Sequence, residues 1–151
     1  MEKIYYSYKD CVEDCKILIP LIKEYKPDAL VAIARGGLSI GHLLSEALET
    51  RELYTLNSIH YNGTEKLETF AIFNIPNLAK AKKVVLIDDI IDSGETMVEI
   101  IKKLQKKYPF CEFKVASIFY KPTAILQPDF TVKEAKGWID FFWEADLRDH
   151  R

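Results

Sequence analysis

Short apolar runs rich in β-branched residues alternate along this chain with longer stretches whose apolar positions recur every three or four residues. Ser7, with Asp10 three positions later, reads as a helix-capping pair, and Cys11, Cys15, Leu18, Ile22 and Tyr25 behind it keep helical spacing. Pro20 falls inside that stretch and is expected to bend or restart the helix. A strand is predicted over 28–34, then a helix over 37–50 that turns Ile40, Leu43, Leu44, Ala47 and Leu48 inward. Two strands follow, over 53–61 and 68–74, on either side of the polar loop Asn62-Gly63-Thr64-Glu65-Lys66. The run Val84 to Ile87 suits a strand buried on both faces of a parallel sheet. A helix over 95–107, a strand over 112–120, and short strands near 130–132 and 139–143 complete the series. Strands alternating with helices imply an α/β chain, with a mainly parallel sheet and helices on both faces.

Composition narrows the class. The chain of 151 residues is expected to form a single domain, residues 1–151, and 48% hydrophobic with 29% charged residues is the balance of a globular protein. A net charge of −2 offers no global attraction to nucleic acid, so none is expected as a partner and any phosphate binding has to be local. No apolar run approaches the ~20 residues that span a bilayer, and the first ten residues lack the apolar core of a signal peptide; the expected location is cytoplasmic. Cys11, Cys15 and Cys111 have no Cys-x-x-Cys spacing and read as packing residues.

The chemistry gathers where strands end. Asp88 and Asp89 follow the apolar run directly, at the edge of an open α/β sheet where ligands collect, and two such acids need hydroxyls, a cation or both as partners. Asp92-Ser93-Gly94-Glu95-Thr96 then opens the next helix. Its backbone N–H groups can converge on an anion, with Gly94 permitting the tight turn, Ser93 and Thr96 adding hydroxyls, and the Glu95 side chain expected to point away while its N–H points in. The plainer reading is an Asp-rich loop that only caps the helix. A second anion turn is Ala34-Arg35-Gly36-Gly37, where two glycines allow close backbone approach and Arg35 adds a charge-assisted contact. Near the other end, Lys121 closes a strand beside Pro122 and can donate to a ring carbonyl, and Trp138 on a Gly-led turn can stack on a flat base. Trp143 reads instead as a core or interface plug.

An apolar strand, two acids, two apolar residues and Asp-Ser-Gly in succession, Val84 through Thr96, resemble the phosphoribosyl-diphosphate (PRPP) motif of type I phosphoribosyltransferases. The pair Lys121 and Trp138-Ile139 is similar to that of the 6-oxopurine members, although Phe142 stands where those enzymes have proline before the second tryptophan. The resemblance implies a base-binding hood beside the sheet and transfer of the 5-phosphoribosyl group from PRPP to N9 of guanine, xanthine or hypoxanthine. It further implies Mg2+ as cofactor, with Asp89 toward the metal, Asp88 toward the ribose hydroxyls, and Asp92 taking a proton from the purine. Arg35 and Gly36 would hold the diphosphate around a cis peptide at Arg35-Gly36, with Lys66 in a flap above it. Ser93, Gly94, Glu95 and Thr96 would bind phosphate. Lys121 would read the 6-oxo group, Trp138 would stack, and the Ile139 carbonyl would accept from a 2-amino group. A homodimer or homotetramer is implied. The alternatives are a phosphoribosyltransferase-like nucleotide-binding regulator and a transferase for another base. A phosphoacceptor receiver domain does not fit, since its acid pair belongs on the first strand.

Overall fold

Alternation along the central strands divides the core in two. Leu30, Val85, Ile87, Ala116 and Ile118 point to one face of the sheet, and Val31, Ile33, Val84, Leu86 and Val115 to the other. In the computed structural model, which describes residues 2–62 and 68–151, the sheet has six strands. They are β2 (Ala29–Ala34), β3 (Leu53–Asn62), β4 (Glu68–Phe73), β5 (Lys83–Ile91), β6 (Glu112–Tyr120) and β7 (Phe130–Glu134), in the order β4-β3-β2-β5-β6-β7. All neighbours are parallel except the β3–β4 pair. Helices α1 (Tyr8–Tyr25) and α2 (Leu38–Ala47) cover the first face through Cys11, Cys15, Leu18, Ile22, Ile40 and Leu44. Helix α3 (Glu95–Lys107) covers the second through Met97, Ile100 and Leu104. This is the mainly parallel sheet with helices on both faces that the alternation of elements predicts. No helix among the described residues is long and apolar enough to cross a membrane.

Helix α1 opens on the expected capping box, with the Asp10 amide donating to Ser7 Oγ at 3.0 Å. It then runs unbroken through Pro20. The residue and Lys16, whose carbonyl loses its partner to the proline, are both exposed, so water can meet the unpaired group. Helix α2 is shorter than expected and leaves Ala47 exposed, while Leu43 and Leu48 pack against the core from its margin.

A second, two-stranded parallel sheet pairs β1 (Lys3–Tyr6) with β8 (Trp138–Phe141), in the register Lys3 with Trp138 through Tyr6 with Phe141. The strand expected over 139–143 stops at Phe141, and Phe142–Ala145 forms the short helix α4. Tyr6 and Phe141 meet edge to face at 5.7 Å, and both join the α1-side core. The Tyr6 hydroxyl donates to the buried Asp14 carboxylate of α1 at 2.6 Å, which Lys133 of β7 also reaches at 3.0 Å. The small sheet is thereby pinned to the large one.

Candidate active site

The chain winds outward from the middle of the sheet in two directions. From β2 it passes through α2 to β3 on one side, and from β5 through α3 to β6 on the other. Pairing between β2 and β5 ends at Ala32 with Ile87, whereas β2 continues along β3 to Ala34 and β5 continues along β6 to Ile91. The two strands therefore part at their carboxyl ends and open the crevice where ligands of α/β sheets collect. A cavity of about 960 Å³ fills it, with Arg35 and Gly36 on one lip, Asp88 and Asp89 on the other, and Ser58 and Thr96 at the side.

The acid pair is half-buried and lies in the carboxyl-terminal part of β5, which runs on two residues further to Ile91. Asp88 Oδ1 accepts from the Asp89 amide at 2.9 Å, and Asp89 Oδ1 accepts from the Ile90 amide at 2.7 Å. Burial pushes the Asp88 carboxyl above the usual carboxylate range, and the adjacent Asp89 charge adds to the shift. Burial raises Asp89 as well, against the hydrogen bonds from Asp88 and Ile90 that favour its charged form. Two crowded acids at a cavity mouth suit a cation shared with ligand oxygens, or ligand hydroxyls.

The opposing turn approaches this pair as only glycine permits. A Cβ at Gly36 would lie 2.6 Å from Asp89 Cγ, and one at Gly37 would run into the Ile87 carbonyl. The non-proline cis peptide expected at Arg35-Gly36 is found one bond earlier, between Ala34 and Arg35. The reversal begins where β2 ends, and it is closed by the Gly37 amide donating to the Ile33 carbonyl at 2.9 Å.

Between Asp92 and Thr96 the chain makes the turn the glycine announced, with Gly94 at φ 84° and Thr96 on the cavity wall. Ser93 Oγ accepts from the Glu95 amide at 3.2 Å, and the Ser93 carbonyl accepts from the Ile125 amide at 2.8 Å. A Cβ at Gly94 would come within 2.8 Å of the Leu126 amide nitrogen. The loop after β6 thus buttresses the turn. Gln127 holds that loop, donating from Nε2 to the carbonyls of Lys121 and Ala124, each at 3.1 Å.

A smaller cavity of about 210 Å³ adjoins the first and shares Asp89 and Glu144 with it. Asp92, Lys121, Trp138 and Ile139 all line it. Lys121 Nζ meets Asp92 Oδ1 at 2.9 Å, a pair half-open to solvent. Trp138 is 57% exposed despite its size, whereas Ile139 is buried. Trp143 is more than a plug: it stacks on Phe141, with centroids 4.7 Å apart and planes 8° from parallel, and also borders the large cavity.

Sequence reasoning missed the last residues. Leu147, His150 and Arg151 complete the large cavity, held there because Arg148 grips Asp140 of β8 at 2.6 Å and Tyr5 of β1 donates to Asp146 at 2.9 Å. Alternating charges in a short tail gave no signal of that placement. Lys66 lies outside the described residues.

This geometry has relatives. Residues 11–150 match the phosphoribosyl transferase domain model. A xanthine-guanine phosphoribosyltransferase of Cereibacter sphaeroides is 29% identical over 125 residues, covering 80% of this chain and 71% of that protein. The solved xanthine-guanine-hypoxanthine phosphoribosyltransferase of Helicobacter pylori superposes with a TM-score of 0.91 at 36% identity, over 99% of this chain and 98% of its own. A purine phosphoribosyltransferase of Pyrococcus horikoshii gives 0.84 at 31%, over 95% and 94%. With a domain model spanning nearly all of it and a sheet whose crevice carries the motif, the chain belongs to the phosphoribosyl transferase domain family.

Proposed function

We propose that this protein transfers the 5-phosphoribosyl group from PRPP to N9 of a 6-oxopurine, giving the nucleoside 5'-monophosphate and diphosphate. The observation that carries the reading is the pairing of two adjoining cavities. One combines the Arg35-Gly36 turn, the acid pair and the start of α3; the other combines Lys121, Asp92 and Trp138. Names of the relatives point to the same purine class.

In this reading the large cavity takes PRPP. The start of α3, from Gly94 to Thr96, directs amide donors at the 5-phosphate, Arg35 and Gly36 hold the diphosphate, and Asp88 faces the ribose hydroxyls. Bond breaking at the anomeric carbon leaves an oxocarbenium-like ring, so alignment of ring, base and departing diphosphate is the protein's main task. The base enters beside Trp138. Lys121 donates to its 6-oxo group, and Asp92 accepts the proton released from the purine ring. In the free protein those two side chains hold each other, so the incoming base exchanges one ion pair for two contacts of its own.

Magnesium fits the donor set. It favours one or two carboxylates together with substrate oxygens, and Asp89, raised by burial beside Asp88, is the residue that would hold it. When bound, the ion neutralises diphosphate charge. The test is steady-state turnover with PRPP, Mg2+ and guanine, xanthine, hypoxanthine or adenine in parallel. Turnover of the 6-oxopurines alone is expected. Turnover of adenine, or none with any base despite PRPP binding, would overturn the assignment.

A further inference from the structure

One buried acid lies outside both cavities. Asp14 of α1 is 5% exposed, and its Oδ2 accepts from the Tyr6 hydroxyl at 2.6 Å and pairs with the Lys133 ammonium at 3.0 Å. Desolvating a carboxylate is costly, and apolar residues in place of a buried ion pair often leave a protein equally stable. Stability alone does not account for such a group; what it joins does.

Tyr6 ends β1, the strand that pairs with β8, and Lys133 belongs to β7, from which the chain reaches β8 through residues 135–137. One carboxylate thus grips both the partner of β8 and the strand that leads into it. The Tyr6 ring extends that grip. It meets Phe141 of β8 edge to face at 5.7 Å, and at 5.0 Å it meets Phe119 of β6, two positions before Lys121. The small cavity lies between these same elements. Trp138, Ile139 and Phe141 form one wall, from the small sheet, while Asp92 and Lys121 belong to the other, beyond the ends of β5 and β6. No strand pairing joins β8 to β5 or β6 among the described residues. The spacing of the two walls is therefore set by side-chain docking, and Tyr6 stands at the joint.

We propose that Tyr6, held by Asp14 and Lys133, is a positioning residue for the purine: it fixes the distance of Trp138 and Ile139 from Lys121 and Asp92 without touching the base. The inference rests on the phosphoribosyltransferase reading and gives its purine site a support that reaches back to α1. The lips of the large cavity, at Arg35-Gly36 and Asp88-Asp89, are carried by β2 and β5, so PRPP binding does not depend on it.

The test compares kcat, the KM values for guanine and PRPP, and thermal melts of the wild type, Tyr6→Phe, the double variant Tyr6→Phe/Asp14→Leu, and Ile22→Val. In the double variant both partners of the buried bond become apolar, so its melting temperature is expected to stay within a few degrees of the wild type. Its guanine KM is expected to rise about fivefold, part of what a whole base-aromatic stack supplies, with kcat and the PRPP KM within twofold. Tyr6→Phe alone leaves Asp14 short of a donor and is expected to melt lower and to raise the guanine KM in the same direction; it decides the matter should the double variant not fold. Ile22→Val loosens the same core at the far end of α1 and is expected to leave the guanine KM unchanged. A guanine KM within twofold of the wild type in both Tyr6 variants overturns the positioning role and leaves the wider reading standing. A PRPP KM that rises alongside it, or an equal rise in Ile22→Val, overturns it in favour of general loosening. A wild type that turns over no 6-oxopurine overturns both.

Discussion

Gly36→Ala tests the contact between the two lips of the crevice. The added methyl would lie 2.6 Å from Asp89 Cγ, whereas ordinary contact begins at 3.4 Å, so turn and carboxylate must separate by about 1 Å. Asp89 cannot yield that distance freely, since its Oδ1 is held by the Ile90 amide at 2.7 Å. Gly36 is also not among the residues at positive φ, so alanine meets no backbone penalty and the whole effect comes from the contact. Misplacing reacting groups by about 1 Å costs roughly 10²-fold in rate. We expect kcat/KM for PRPP to fall by about that factor, with the guanine KM little changed and the protein folded by circular dichroism. The assay is steady-state kinetics with each substrate varied in turn. A kcat/KM for PRPP within about threefold of the wild type would refute the claim that the Gly36–Asp89 approach sets the site.

Other substitutions separate the remaining parts. Asp92→Asn should slow turnover ~10²- to 10⁴-fold, as loss of general acid-base help does, while PRPP affinity by calorimetry is retained; an unchanged kcat removes Asp92 from the chemistry. The melting temperature should hardly move, because the Lys121–Asp92 pair is half-open to water and such pairs contribute at most ~1 kcal/mol. Trp138→Ala should raise the guanine KM about tenfold, the scale of one base-aromatic stack, and leave the PRPP KM alone. Away from the site, the Lys83 and Lys82 amides, both at 2.8 Å, hold the Asp28 carboxyl below the usual carboxylate range. A depressed value in the folded state stabilises above the unfolded pKa and is lost as pH falls through the folded one. The wild type should therefore melt higher than Asp28→Asn at pH 7, and the gap should close on acidification below about pH 4; a gap independent of pH would show that charge is not involved.

Strands β2 and β5 were legible because burial on both faces leaves an unbroken apolar run, and the turn into α3 because Gly94 follows Asp-Ser just before the helical spacing begins. Strand β1 was not. Its four residues are mostly outside the core, and its partner β8 lies at the other end of the chain, so no local pattern marks it. The aromatic run at 138–143 looked like one strand, but Phe141 turns into the core and the chain bends into α4 behind it. Pro20 does not restart α1, for a physical reason: an exposed helix face tolerates a missing hydrogen bond that a buried one would not. The Lys121–Asp92 pair and the tail both depend on elements meeting in space, and a linear reading carries no distance between them.

The small sheet has a consequence for how such proteins diversify. Residues 3–6 and 138–141 sit outside the doubly wound sheet, touching it through Tyr6, Ile139 and Phe141, while the large cavity is lined by residues between them and by 143–151. Trp138 donates its amide to the Glu2 carbonyl at 2.9 Å, and a Cβ at Gly137 would crowd that same carbonyl. The two segments thus form a cassette that can be exchanged only as a matched set: grafted together they keep their register, and swapped singly they lose it. Paired changes at residues 3–6 and 138–141 can thus reshape the small cavity beside Trp138 while the crevice between β2 and β5 keeps its form.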